Sequence, residues 1–123
     1  MRGIVLALAL LSTPAIAADQ FDLVCSAKKD RTRFRVDLTT GEYCADKCDQ
    51  VRRIAEVTSG MIVFRQDEPK PPENIRGYNR VNRITGAWEW YSFAPQFDIT
   101  PQDIRGTCEP APFSGFGISS RKF

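Results

Sequence analysis

Chemistry in this chain has to come from four cysteines, scattered carboxylates and a cluster of aromatic rings, because the sequence contains no histidine. Without an imidazole the usual general base is missing, and Ser–His and Cys–His nucleophilic catalysis are both excluded. The cysteines are Cys25, Cys44, Cys48 and Cys108. Thiolate zinc sites use closely spaced pairs. Here only Cys44 and Cys48 are close, as C-x3-C, and the redox spacing C-x-x-C is absent. The cysteines therefore point to disulfides, with no metal and no other cofactor expected.

Paired carboxylates can cleave glycosides without histidine when they face each other across the scissile bond. Glu42, Glu56, Glu89 and Asp98 stand at expected strand ends, but their spacing sets no two of them face to face. Ser59-Gly60 lacks the flanks of a nucleophile elbow, and there is no glycine-rich phosphate loop. No catalytic residue is assigned and enzymatic activity is not expected. The densest aromatic segment runs from Ala87 to Phe93. On a strand, Trp88 and Trp90 share one face, while Glu89, Tyr91 and Phe93 share the other. Only one face can be core, so some of these rings should be partly exposed, where they would stack on sugar rings or anchor a protein partner. Trp88, Trp90, Tyr91, Phe113 and Phe116 are the candidate binding surface. The arrangement favoured for the strand itself puts Trp88 and Trp90 in the core, with Tyr91 and Phe93 under a Phe-rich tail.

The chain opens with Met1-Arg2, an apolar run from Gly3 to Leu11, and Ser12 to Ala17 with Pro14 before small residues. These are the three regions of a cleavable signal peptide. Cleavage is expected after Ala17, and nine apolar residues are too few to span a bilayer. No cysteine follows the run at once and Arg2 has no arginine beside it, which favours general secretory export over lipoprotein or twin-arginine routes. The expected compartment is the periplasm or the medium. Exported cysteines meet oxidising conditions, so two disulfides are expected. Four cysteines allow three pairings. A Cys44–Cys48 clip with a Cys25–Cys108 staple is favoured, and crossed pairings stay open.

Residues 18–123 suffice for one domain. The elements that must position the rings and cysteines follow a period of two. Phe21, Leu23 and Cys25 alternate with polar residues, as do Phe34, Val36 and Leu38. Residues 54–57 and 61–64 flank Thr58-Ser59-Gly60 as a hairpin. Pro69, Pro71 and Pro72 mark a loop, residues 78–84 and 87–93 flank Thr85-Gly86, and Ile104 to Cys108 closes the series. The only helix candidate is a turn or two around Asp46 to Arg53. The expected fold is all-β, an antiparallel meander of about seven or eight short strands forming a small barrel or sandwich, stapled by disulfides. It occupies residues 18–108, with residues 109–123 an extended tail in which Phe113 and Phe116 lie back on the domain.

One internal echo stands out: Arg35 to Tyr43 and Arg80 to Trp88 both read R-V-[D/N]-x-x-T-G-x-aromatic. The reading preferred is one favourable hairpin solution used twice, with glycine at the positive φ that a bulged turn requires. Two copies of a ligand site is the alternative.

Loss of Arg2 leaves 16 basic against 15 acidic side chains. That balance argues against nucleic acid as a partner, and the basic stretch from Lys28 to Arg33 reads as a solvated turn. Phe123 invites comparison with outer-membrane barrels, but Arg121, Ser119 and Gly117 alternate with it, and no lipid face would carry them. After signal cleavage the chain is not expected to span a membrane.

The F-D-L-V-C opening, the R-V-D-L…Y-C-x3-C block, the V-N-R-I-T-G turn and the ending C-x4-F-S-G-F resemble a group of small secreted Gram-negative bacterial proteins without an assigned activity. The resemblance implies compartment and fold only. A fainter one is to periplasmic inhibitors of animal-type lysozyme, small disulfide-bonded β-barrels. There Phe21 and Cys25 are too widely spaced, and Thr58 to Met61 echoes the inhibitors' Ser-Gly loop only in part, without its Lys-Tyr. The expected function is a non-enzymatic binding module for an extracytoplasmic protein or cell-wall glycan. The alternative is an inhibitor of a cell-wall hydrolase.

Overall fold

The computed structural model describes residues 18–68, 75–94 and 100–117. Residues 1–17, where a signal segment is expected, and Pro69, Pro71, Pro72, Asp98 and Phe123 lie outside the described residues. Nine strands follow in order: β1 (Gln20–Ser26), β2 (Arg31–Asp37), β3 (Glu42–Ala45), β4 (Arg52–Arg53), β5 (Glu56–Val57), β6 (Met61–Asp67), β7 (Arg76–Asn82), β8 (Ala87–Phe93) and β9 (Gln102–Ala111). They form one antiparallel sheet in the order β4-β3-β2-β1-β9-β8-β7-β6-β5. The fold is all-β, a curled half-barrel, with one strand more than the upper end of the expected seven or eight, and two of the nine, β4 and β5, are only two residues each.

The curl follows from connectivity. The two edge strands, β4 and β5, are separated in the chain only by Ile54 and Ala55. Three Cα steps hold the sheet's edges within about 11 Å of each other at that point. The Ile54 amide donates to the Gly41 carbonyl at 2.8 Å, and the Ala55 amide donates to the Phe64 carbonyl at 3.4 Å. Consecutive amides thus reach to opposite sides of the gap.

Alternation puts Phe21, Leu23, Phe34, Val36, Ile62, Val81 and Trp88 inside, all buried. Phe34 stacks on Phe64 with ring centroids 4.3 Å apart, and Tyr43 and Trp88 pack against that pair. The buried indole N–H of Trp88 donates to Asn79 Oδ1 at 2.8 Å, so the one polar hydrogen of this core ring is paired.

The disulfides are Cys25–Cys108 and Cys44–Cys48, the pairing favoured from sequence. The first joins residues directly opposite each other on β1 and β9, tying the first strand to the last. The expected helical turns around Asp46 to Arg53 are absent. Asp46 and Cys48 take positive φ of 51° and 57°, and the four-residue clip bends the chain there in a way no helix allows. The tail expected from Glu109 instead begins as strand, because β9 runs on to Ala111.

The sequence echo is structural. In both hairpins the Asp37 or Asn82 side chain accepts two turn amides: Thr39 and Thr40 in one, Ile84 and Thr85 in the other. Gly41 and Gly86 then take φ of 73° and 81°, a conformation costly for any residue with a Cβ. The registers extend the match. Phe21 pairs with Val36, Val36 with Tyr43 and Tyr43 with Arg52; likewise Ile62 pairs with Val81, Val81 with Trp88 and Trp88 with Gly106. Strands β1–β4 and β6–β9 are therefore two copies of one four-stranded unit.

Candidate functional site

The two copies meet along two seams, and the seams differ. At one, β1 pairs with β9 over five residues, from Asp22–Ala111 to Ser26–Thr107. At the other, the matching strands are β4 and β6, and no ladder pairs them among the described residues; the chain running on from β4 reaches β6 through the Ala55–Phe64 hydrogen bond and the two-residue pairing of β5, Glu56 with Val63 and Val57 with Ile62. β4 has two residues where its counterpart β9 has ten. Likewise β3 stops at Ala45 and turns into the Cys44–Cys48 clip, where its counterpart β8 continues to Phe93. Among the described residues, one wall of the half-barrel is therefore shorter at that end.

A cavity of about 650 Å³ opens there, within the range of ordinary small-molecule sites. Its floor is aromatic, with Phe34 and Tyr43 at the bottom and Trp90 at the mouth. Trp90 points inward beside Trp88, their rings 6.1 Å apart, yet it is 36% exposed whereas Trp88 is fully buried. Within the sheet Trp90 lies between Asn79 and Ile104; it corresponds to Ala45 in the other copy, where β3 ends and the clip begins, and among the described residues that end of the sheet leaves its ring partly open to the cavity.

Polar groups surround the rings. Arg65 and Asp67 come from β6 after a bulge between Val63 and Arg65, which re-aims the following side chains. Their Nε–Oδ2 contact is 2.8 Å. Asn79, Ser92 and Gln102 line the intact wall, and Asp46, Asp49, Gln50 and Arg52 line the clip side. The Arg33 amide donates to Asp46 Oδ1 at 3.0 Å, and the Arg52 guanidinium donates to Gln50 Oε1. Burial pushes the Tyr43 hydroxyl above the usual tyrosine value of 10.0, against the opposing pull of Arg52 and Arg65.

The five rings singled out from sequence are not one surface. Trp88 is core, and Trp90 with Tyr91 lines the cavity. Tyr91 also stacks with Tyr78, their centroids 5.7 Å apart. Phe113 and Phe116 pack edge to face against each other in the tail and do not line the cavity. The tail is strapped over the outer side of β1 and β2. Ser114 donates from Oγ and N to the fully buried Asp22 carboxylate, which Arg33 Nε also meets at 2.6 Å. Arg35 donates to the Gly115 carbonyl at 2.8 Å.

Glu42, Glu56 and Glu89 do not line the cavity, and Glu89 is bridged by Arg80 and Arg105 at 2.8 and 3.2 Å. Tyr43, Arg52, Arg65, Asn79 and Gln102 are site residues that sequence reasoning missed. The echo holds a signal for one of them, since it equates Tyr43 with the inward-facing Trp88. No helix of the described residues is long and apolar enough to cross a membrane. No protein-family model, curated protein or solved structure matches this chain.

Proposed function

We propose that the protein is an exported, non-enzymatic binding module and that its ligand enters the cleft at the open seam, against Trp90. The observation that carries this reading is an inward-facing indole left exposed at the mouth of a 650 Å³ cavity. Core positions on a sheet are filled wherever burial stabilises the fold, so a tryptophan held open to water marks a surface kept for contact. Two disulfides support an oxidising compartment, in keeping with a secretory signal cleaved after Ala17. Two of the three carboxylates in the cleft support binding over catalysis, since Asp46 and Asp67 are each taken up by an amide or guanidinium donor.

The test is equilibrium binding of the oxidised protein to a washed cell-envelope fraction. Saturable binding should be lost in Trp90→Ala and kept in Ile84→Ser, whose side chain is exposed on the β7–β8 turn. Equal binding by both variants contradicts the assignment.

The inhibitor reading draws on one observation, the rigidity of the β5–β6 hairpin. Thr58 Oγ1 accepts both the Gly60 and Met61 amides, and Arg83 donates to the Thr58 carbonyl at 2.7 Å. Ser59 and Gly60 give that tip no charge. Inhibition of purified lysozyme at micromolar protein, abolished by replacing Ser59-Gly60, is the outcome that supports it.

A further inference from the structure

The cleft's own chemistry narrows the ligand, and this step rests on the binding-module reading. We propose that the site takes a neutral saccharide, a short oligosaccharide of uncharged hexose or N-acetylhexosamine units, with one ring stacked on Trp90.

A pyranose has two unlike surfaces: a face of C–H groups and a rim of hydroxyls. The C–H face is attracted to the electron-rich face of an indole, and only Trp90 offers one to solvent here, because Trp88 is fully buried. The hydroxyl rim needs donors and acceptors around that ring, and amides and a hydroxyl from Asn79, Ser92, Gln102 and Gln50 line the same cavity. A wholly apolar ligand would strip water from these groups without replacing it.

Charge excludes the next class. The lining carries Arg52 and Arg65 against Asp46, Asp49 and Asp67, a net charge of −1. Arg65 is moreover occupied by Asp67 at 2.8 Å. A phosphate, sulfate or uronate would meet more carboxylate than free guanidinium and be repelled.

The rim is rigid. The Cys44–Cys48 clip holds Asp46 and Cys48 in left-handed conformations, and the Asp46 carboxylate is anchored on the Arg33 amide. A preformed polar rim lowers the ordering cost of a weakly binding, heavily hydrated ligand.

The experiment titrates the oxidised protein with chitotetraose and cellotetraose as neutral probes, a heparin tetrasaccharide as the anionic probe and an alternating Val-Thr decapeptide as the strand-adding probe. Tryptophan emission and calorimetry are the readouts. At least one neutral saccharide should bind saturably and shift the emission, and Trp90→Ala should weaken it about tenfold or more. Retained native near-ultraviolet circular dichroism from Trp88 shows that the variant is folded. The heparin fragment should give no response. If only the heparin fragment or the peptide binds, dependent on Trp90, the saccharide inference is overturned and the binding-module reading stands. If no probe binds and the envelope fraction shows no Trp90-dependent binding, both fall.

Discussion

Replacing each disulfide by a pair of alanines should separate two effects that the fold combines. In the chain-entropy account a cross-link stabilises by shortening the unfolded chain's freedom, as the logarithm of the loop it closes. Cys25–Cys108 spans a sequence separation of 83 and Cys44–Cys48 one of 4. The corresponding entropies are about 15 and about 6 cal/mol/K, or about 4.5 and about 1.9 kcal/mol at 25 °C. All four cysteines are buried, so the packing lost with the sulfurs is similar for both pairs and largely cancels in the comparison. The difference of about 2.7 kcal/mol corresponds to roughly 12 °C in melting temperature for a domain of about 100 residues. Thermal unfolding of both double variants, followed by circular dichroism without reductant, measures it. Cys25→Ala/Cys108→Ala should melt far below Cys44→Ala/Cys48→Ala, and the long staple should account for a large share of a total stability of about 5–15 kcal/mol. A gap under about 1 kcal/mol, or the reverse order, refutes the idea that closing the first strand onto the last is the main covalent support.

Other outcomes follow from single sites. A Cβ on Gly106 would collide with the Ser26 backbone carbonyl, so Gly106→Ala should cost about 1–3 kcal/mol in urea unfolding; an unchanged midpoint contradicts the close approach of β9 to the end of β1. The Tyr43 hydroxyl titrates above 10.0 in the folded protein because of burial, so the unfolded chain releases that proton first as pH rises. Its contribution is whole below pH 10.0 and is lost as pH climbs through the higher folded value. Wild type should therefore lose stability above pH 10 more steeply than Tyr43→Phe, and absorbance at 295 nm should show a late phase that the variant lacks. Ser114→Ala removes one of the donors to buried Asp22 and should cost about 1–3 kcal/mol, with faster hydrogen exchange at Ser114 and Gly115; unchanged exchange contradicts a strapped tail.

The alternation of Phe34, Val36 and Leu38 made β2 legible, and the T-G turns made both hairpins legible, because strand period and turn chemistry are local. The long staple was legible because four cysteines allow only three pairings and Cys25 and Cys108 fall on the first and last strands. The cleft was not. Trp90 alternates with Trp88 and reads as core; its exposure depends on how early β3 and β4 end, a property of the distant clip at Cys44–Cys48. The brevity of β4 is equally hidden, since Ile54 to Val57 looks like an ordinary strand arm until the clip at Cys44–Cys48 and the bond from Ala55 to Phe64 fix where the chain can go. A tail folded back on the domain is expected to bring Phe113 and Phe116 beside the tryptophans, whereas Asp22 and Ser114 hold it on the outer side.

The central claim is that the open seam is the binding surface, and an amide-resolved NMR titration of the oxidised protein with solubilised cell-envelope glycan tests it most directly. The account predicts shifts gathered at Thr32, Ala45, Arg65, Asn79, Trp90 and Gln102, with the Trp90 indole signal moving and the Trp88 indole signal still. Shifts confined to the outer ladder of Arg80, Glu89 and Arg105, or to the tail around Phe113, with the cleft signals unmoved, would contradict it.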